Sequence, residues 1–164
     1  MINKYPENAS IQNYCGVALF QSGKNELAIH HIKKAITIAP NYSEAHFNLA
    51  VALESVDQVQ SAILSYLTAL KLNPKLVQAY NNLGIIHYQQ GEFNKSIEIY
   101  RQATKVAPDY AFTYNNFGNL MRVLGNFDMA IDLYQKAINI QPDYADCHYS
   151  LGTIHLLLGD LRQG

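Results

Sequence analysis

Residues 77–108 read VQAYNNLGIIHYQQGEFNKSIEIYRQATKVAP, a stretch that encodes two helices and the turn between them. Tyr80, Leu83, Gly84 and His87 fall on one helical face. Gly91 ends that pattern where a helix C-terminus takes a residue of positive φ. Phe93, Ser96, Ile97, Tyr100, Ala103 and Thr104 then mark a second helical face. Pro108 stops it, because proline cannot continue a helix and disfavours helix in the residue before it.

The same punctuation recurs along the chain. Proline stands at Pro6, Pro40, Pro74, Pro108 and Pro142, each 34 residues after the last. A constant period of this size marks a stacked array in which each unit packs only on its neighbours. The spacing predicts first helices over 9–21, 43–55, 77–90, 111–124 and 145–158, and second helices over 26–38, 60–72, 94–106 and 128–140. Short connections make each pair an antiparallel hairpin. Repeats run over 9–42, 43–76, 77–110 and 111–144, with 145–164 partial, and 1–164 reads as a single domain. Met1–Tyr5 reads as the tail of a preceding second helix. Gly159–Asp160 reads as a turn after which the fifth second helix is missing, so a piece of a longer protein is expected.

The columns of the repeat have steric reasons. Gly16, Ala50, Gly84, Gly118 and Gly152 are expected where paired helices approach closely. Ile32, Tyr66, Tyr100 and Tyr134 are expected as large plugs. Ala28, Ala62, Ser96 and Ala130 form a second small column, and Ala35, Ala69, Ala103 and Ala137 a third. Small facing large is how helices interdigitate without voids.

Composition narrows the function. The net charge is −1 and the longest run of like charge is Lys33-Lys34, so no basic face for nucleic acid or an anionic membrane is expected. Cys15 and Cys147 lie four repeats apart and no disulfide is expected. The chain shows neither a signal segment nor a long apolar span, and a reducing, cytoplasmic setting is the expectation. The sequons at Asn8, Asn41 and Asn94 read as chance.

No catalytic motif stands out. Gly16, Gly23 and Lys24 lack the spacing and the preceding strand of a phosphate loop. Glu44, Glu54 and Asp146 are scattered over helix surfaces. His46, His148, His87 and His155 occupy columns that face the helix pair and read as packing residues, while His30 and His31 read as solvated. No ligand set of zinc-like spacing accompanies them. This segment is expected to be no enzyme, with no metal site and no cofactor.

Taken together, these residues resemble the tetratricopeptide repeat, W-x2-L-G-x2-Y…A-x3-F…P. The fourth unit matches it with Tyr114, Phe117, Gly118, Met121, Ala130, Tyr134 and Pro142, and the second with His46, Leu49, Ala50, Leu53, Ala62, Tyr66 and Pro74. The first is weaker at Gln12, Cys15, Gly16 and Leu19 but keeps Ala28, Ala35 and Pro40. The resemblance covers 9–164 and implies an all-α, right-handed α-solenoid.

It also implies that the remaining face of the first helices lines a concave groove. Residues three and four apart share a face. One stripe is Tyr14, Asn48, Asn82, Asn116 and Ser150, and beside it run Asn13, Phe47, Asn81, Asn115 and Tyr149. Further columns add Phe112, Val17, Val51, Ile85, Asn119, Phe20, Tyr88 and Arg122. An amide donates and accepts, so a row of asparagines grips a peptide backbone, and the aromatics hold apolar side chains. The Asn48-Asn82-Asn116 row resembles the asparagine ladder of O-GlcNAc transferase. The final repeat, CHYSLGTIHLLLGDLRQG, resembles the last repeat of bacterial proteins in which a glycosyltransferase domain follows. Relatives that clamp acidic chaperone tails use cations where this chain has Asn13, Val17, Asn48, Gln78 and Asn82. The expected partner is therefore a protein or extended peptide, neutral to mildly basic. The expected role is a scaffold or targeting module. The alternatives are acceptor selection for a catalytic domain beyond Gly164 and assembly through exposed ends, with self-association through the uncapped last repeat.

Overall fold

The structure, a computed structural model, describes residues 8–163, with side chains through Gly159. The helical tail expected at Met1–Tyr5 lies outside the described residues. Among the described residues nine helices follow one another: α1 (Ala9–Gln21), α2 (Asn25–Ile38), α3 (Ser43–Glu54), α4 (Val59–Leu72), α5 (Val77–Gln89), α6 (Phe93–Val106), α7 (Ala111–Val123), α8 (Phe127–Ile140) and α9 (Ala145–Gln163). There is no strand among the described residues. The first eight helices begin and end within one residue of the bounds the proline period predicts. The fold is an all-α solenoid of helical hairpins. Its contacts divide the chain into two compact units, Met1–Ala79 and Tyr80–Gly164, each built the same way.

Between paired helices the backbone reverses through a left-handed residue. Gly23, Gly91 and Gly125 each have φ of 74°, and Asp57 takes the same role at 58°. The N–H of the following residue bonds a carbonyl five positions back: Lys24 to Leu19, Gln58 to Leu53, Glu92 to His87 and Asn126 to Met121. That pattern satisfies carbonyls a helix end leaves open. Asn8 and Asn126 cap the starts of α1 and α8, accepting from the N–H of Ile11 and Met129.

Gly159 departs from this column. α9 passes through it without a turn and continues to Gln163, longer than expected.

The core is the predicted set of columns. Ala28, Ala35, Ala62, Ala69, Ala103, Ala130 and Ala137 are wholly buried, as is Ser96, whose hydroxyl donates to the Gly84 carbonyl at 2.7 Å. Ile32, Tyr66, Tyr100 and Tyr134 are the buried plugs. A Cβ built on Gly84 or Gly118 would meet the ring of Tyr100 or Tyr134, and one on Gly16 would meet Ile32. Each glycine is thus the notch into which its hairpin's plug fits. Gly152 has no atom within 4 Å of that position.

Three corners between repeats share one device. His46 Nε2 bonds the Pro40 carbonyl at 2.8 Å, His148 Nε2 bonds that of Pro142 at 2.8 Å, and the Tyr114 hydroxyl donates to that of Pro108 at 3.0 Å. The two histidines hold corners, a polar version of the packing role expected for their column.

Candidate functional site

The first helices carry the candidate residues, and the structure sorts them by burial. In the first unit Asn13 is wholly buried. Its Oδ1 accepts from Asn48 Nδ2 at 3.0 Å, and its own Nδ2 lies 3.4 Å from the Tyr42 hydroxyl. Asn48 is half-buried, on the exposed side of that bond. Tyr14, one residue on from Asn13, is 62% exposed. Phe47 leans on Tyr66 with centroids 5.7 Å apart and is half-buried.

The second unit repeats the division. Asn81 is buried and donates to Thr113 Oγ1 at 2.8 Å. Asn115 is buried and its Oδ1 accepts from the Cys147 thiol at 3.2 Å. Asn82 and Asn116, each one residue further along, are half-buried. Expected as a groove-lining stripe, Asn13, Asn81 and Asn115 instead bridge successive first helices. A buried amide in that seam needs a partner, and the neighbouring helix supplies one.

Other candidates are also engaged. Asn119 Oδ1 accepts from the Tyr134 hydroxyl at 2.7 Å, which ties it to the plug. Tyr88 packs against Phe93. Arg122 is exposed and lines a cavity of about 350 Å³ with Phe127, Thr153, Ile154 and Leu157. Phe112 is 51% exposed and Tyr149 76%. Sequence reasoning missed the flanks of Phe112: its ring lies 5.6 Å from Tyr110 and 5.4 Å from Tyr144. Their signal was present, since Tyr42, Tyr110 and Tyr144 share one repeat position.

Several titratable groups have local partners. His31, expected to be solvated, bonds buried Gln12 at 2.7 Å, and burial with His30 and Lys34 nearby lowers its pKa. His87 Nδ1 lies 2.5 Å from Glu92 Oε2 across the Gly91 turn. Glu92 also accepts from Lys95 at 2.8 Å, and these two partners, Lys95 foremost, hold its carboxyl below the usual range. Glu54 accepts from the Tyr66 hydroxyl. Cys15 and Cys147 are free thiols, and burial with Asp146 nearby pushes Cys147 up to about 11. Among the described residues no group of three His, Cys, Asp or Glu is placed to hold a metal ion. No described helix is long and apolar enough to cross a membrane.

Known proteins place this geometry. The TPR repeat model matches residues 16–56, 58–91 and 118–159, and the Tetratricopeptide repeat model matches 77–110. No curated protein matches the chain. Among solved structures, MamA is 26% identical, with TM-score 0.78 over 88% of this chain and 84% of that one. MamA from Desulfovibrio magneticus RS-1 is 20% identical, with TM-score 0.79 over 94% and 88%. PilF of Pseudomonas aeruginosa is 19% identical, with TM-score 0.84 over 93% and 69%. The last two are likenesses of fold alone. These comparisons give no support to the resemblance to O-GlcNAc transferase. The matched repeat is a scaffold fold typically used to bind proteins or peptides and generally non-catalytic, and the chain belongs to the tetratricopeptide repeat family.

Proposed function

We propose that this chain is a peptide- or protein-binding scaffold that holds an extended, neutral to mildly basic ligand on the exposed side of its first helices, the face expected to line the concave groove. The observation that carries this reading is the exposure of large rings there: Tyr14 in the first unit, Phe112 and Tyr149 in the second. An exposed ring offers much apolar area at small entropic cost, which suits a contact surface. Half-buried amides stand beside them, Asn48 one repeat on in Tyr14's own column and Asn116 one turn from Phe112. Asn13, Asn81 and Asn115 support the seams beneath and leave peptide contact to Asn48, Asn82 and Asn116.

The test uses peptides selected from a random display library against the whole chain. Calorimetry on a selected peptide should show Asn82→Ala and Asn116→Ala each weakening binding by about 0.5–1.5 kcal/mol. Helicity should be unchanged. Equal affinity in the double variant sinks the amide reading.

A second reading, self-association, is favoured by the surface of α9. Tyr149, Gly152 and Leu156 share one helix face, Leu156 is 72% exposed and Leu157 46%, and the Gly152 notch is empty. A second copy's helix would find there the small-against-large fit that the other hairpins use internally.

A further inference from the structure

The aromatic triplet of the second unit has a chemistry of its own. Phe112 opens α7, flanked by Tyr110 at an interplanar angle of 30° and Tyr144 at 53°. Tyr144 is buried and Tyr110 half-buried, so the two tyrosines pin a phenylalanine whose ring remains half in solvent. Three carboxylates belong to the same end of these helices. Asp109 immediately precedes Tyr110, Asp143 immediately precedes Tyr144, and Asp146 starts α9 at the position equivalent to Phe112 one repeat earlier. All three are exposed. The cation on α7, Arg122, is ten residues further along the helix, about 15 Å away at 1.5 Å per residue. The second helices place Lys105 and Lys136 at exposed positions of their own.

We propose that the Tyr110–Phe112–Tyr144 platform, edged by Asp109, Asp143 and Asp146, is a subsite that receives an arginine side chain of the bound peptide. A ring face attracts a cation through its quadrupole, and a guanidinium adds planar stacking. The carboxylates favour a positive charge over a neutral side chain of the same shape and repel an acidic one. Burial, with Cys147, Asp146 and Tyr110 beside it, raises the Tyr144 pKa to about 12, so that its ring stays uncharged at neutral pH and the negative charge of the subsite belongs to the carboxylates. Asn116 follows Phe112 by one turn on the same face, in place to meet the backbone of the peptide that carries the arginine. The proposal therefore rests on the peptide-binding reading and names the side chain that one end of that surface selects.

The experiment is a titration of the ¹⁵N-labelled chain, followed by NMR, with three capped pentapeptides. These are alanine peptides carrying arginine, its neutral isostere citrulline, or glutamate at the centre. The arginine peptide should move the amide signals of Tyr110, Phe112, Tyr144 and Asp146. It should bind about two- to fivefold more tightly than the citrulline peptide, the size of an exposed cation–π contact. Phe112→Leu keeps apolar bulk between the two tyrosines and removes the π face, and Asp146→Asn removes one charge. Each should reduce the arginine preference while circular dichroism stays unchanged. Equal binding of arginine and citrulline, a preference that survives both substitutions, or no movement at the triplet overturns the subsite. Movement at Asn82 and Asn116 without arginine preference would leave the peptide-binding reading standing and remove this one. Movement confined to the triplet, with an arginine preference, would support the subsite and remove the amide contacts assigned to Asn82 and Asn116.

Discussion

Gly118→Ala should destabilise the chain, and the cause can be isolated within its own column. A Cβ at 118 would sit 2.7 Å from Tyr134 Cε1, 2.9 Å from Cδ1 and 3.1 Å from Cζ. The ring cannot swing aside cheaply, because it is wholly buried and its hydroxyl is tied to Asn119 at 2.7 Å. Either α7 and α8 separate or that bond breaks. Overpacking of this kind costs about 1–3 kcal/mol. Alanine's better helix propensity offsets about 0.8–1 kcal/mol of it. The net expectation is a loss of about 0–2 kcal/mol. Gly152 holds the equivalent place in α9, where nothing lies within 4 Å, so only propensity acts. Gly152→Ala should therefore stabilise by up to about 1 kcal/mol. Urea unfolding followed by far-UV circular dichroism measures both variants. Repeat arrays unfold in parts, so whole curves are compared rather than a single fitted midpoint. If Gly118→Ala gained as much as Gly152→Ala, the helices would be shown to relax around the methyl, and close approach would not explain the glycine.

Asp57 has φ of 58°, a conformation that costs a non-glycine residue energy, so Asp57→Gly should raise stability by roughly 0.5–1 kcal/mol; a fall in melting temperature would reveal a side-chain bond at this turn. Burial raises the pKa of Tyr100 and of Tyr134 above the ordinary 10.0. A raised pKa means the stabilisation is complete below pH 10 and is lost as pH climbs past it, since only the unfolded chain ionises freely there. Tyr100→Phe should blunt that alkaline loss, and parallel alkaline melting curves for the two proteins would remove tyrosine ionisation as its cause. For self-association, Leu156→Lys should shift sedimentation of the whole chain toward monomer at high concentration. A clean monomer before the substitution, or a dimer after it, places no interface on α9.

The steric half of this fold was legible and the polar half was not. Proline, alanine, glycine and the tyrosine plugs report contacts within one hairpin, where 34-residue spacing and helical period suffice to say which atoms meet. Asn81 and Asn82 show the limit. They are the same residue type, one position and about 100° of helix rotation apart. Which of them enters the seam depends on how α7 crosses α5, and no single helix encodes that. Asn13 with Asn48 and Asn115 with Cys147 are the same case. His31 looked solvated because its partner Gln12 lies on another helix. Gly159 looked like a turn because every other glycine in its column is one, but α9 runs through it to Gln163.

The bonds from His46, Tyr114 and His148 to the prolines six residues before them have a consequence for how such a chain can change over time. Each joint is written within seven consecutive residues and carries its own acceptor and donor. A gene duplication or deletion that moves a whole 34-residue unit moves a complete joint with it. The copy arrives with its angle already specified and needs no matching mutation elsewhere. Length is then free to vary by whole units, while an insertion inside those seven residues would separate a proline carbonyl from the side chain that holds it.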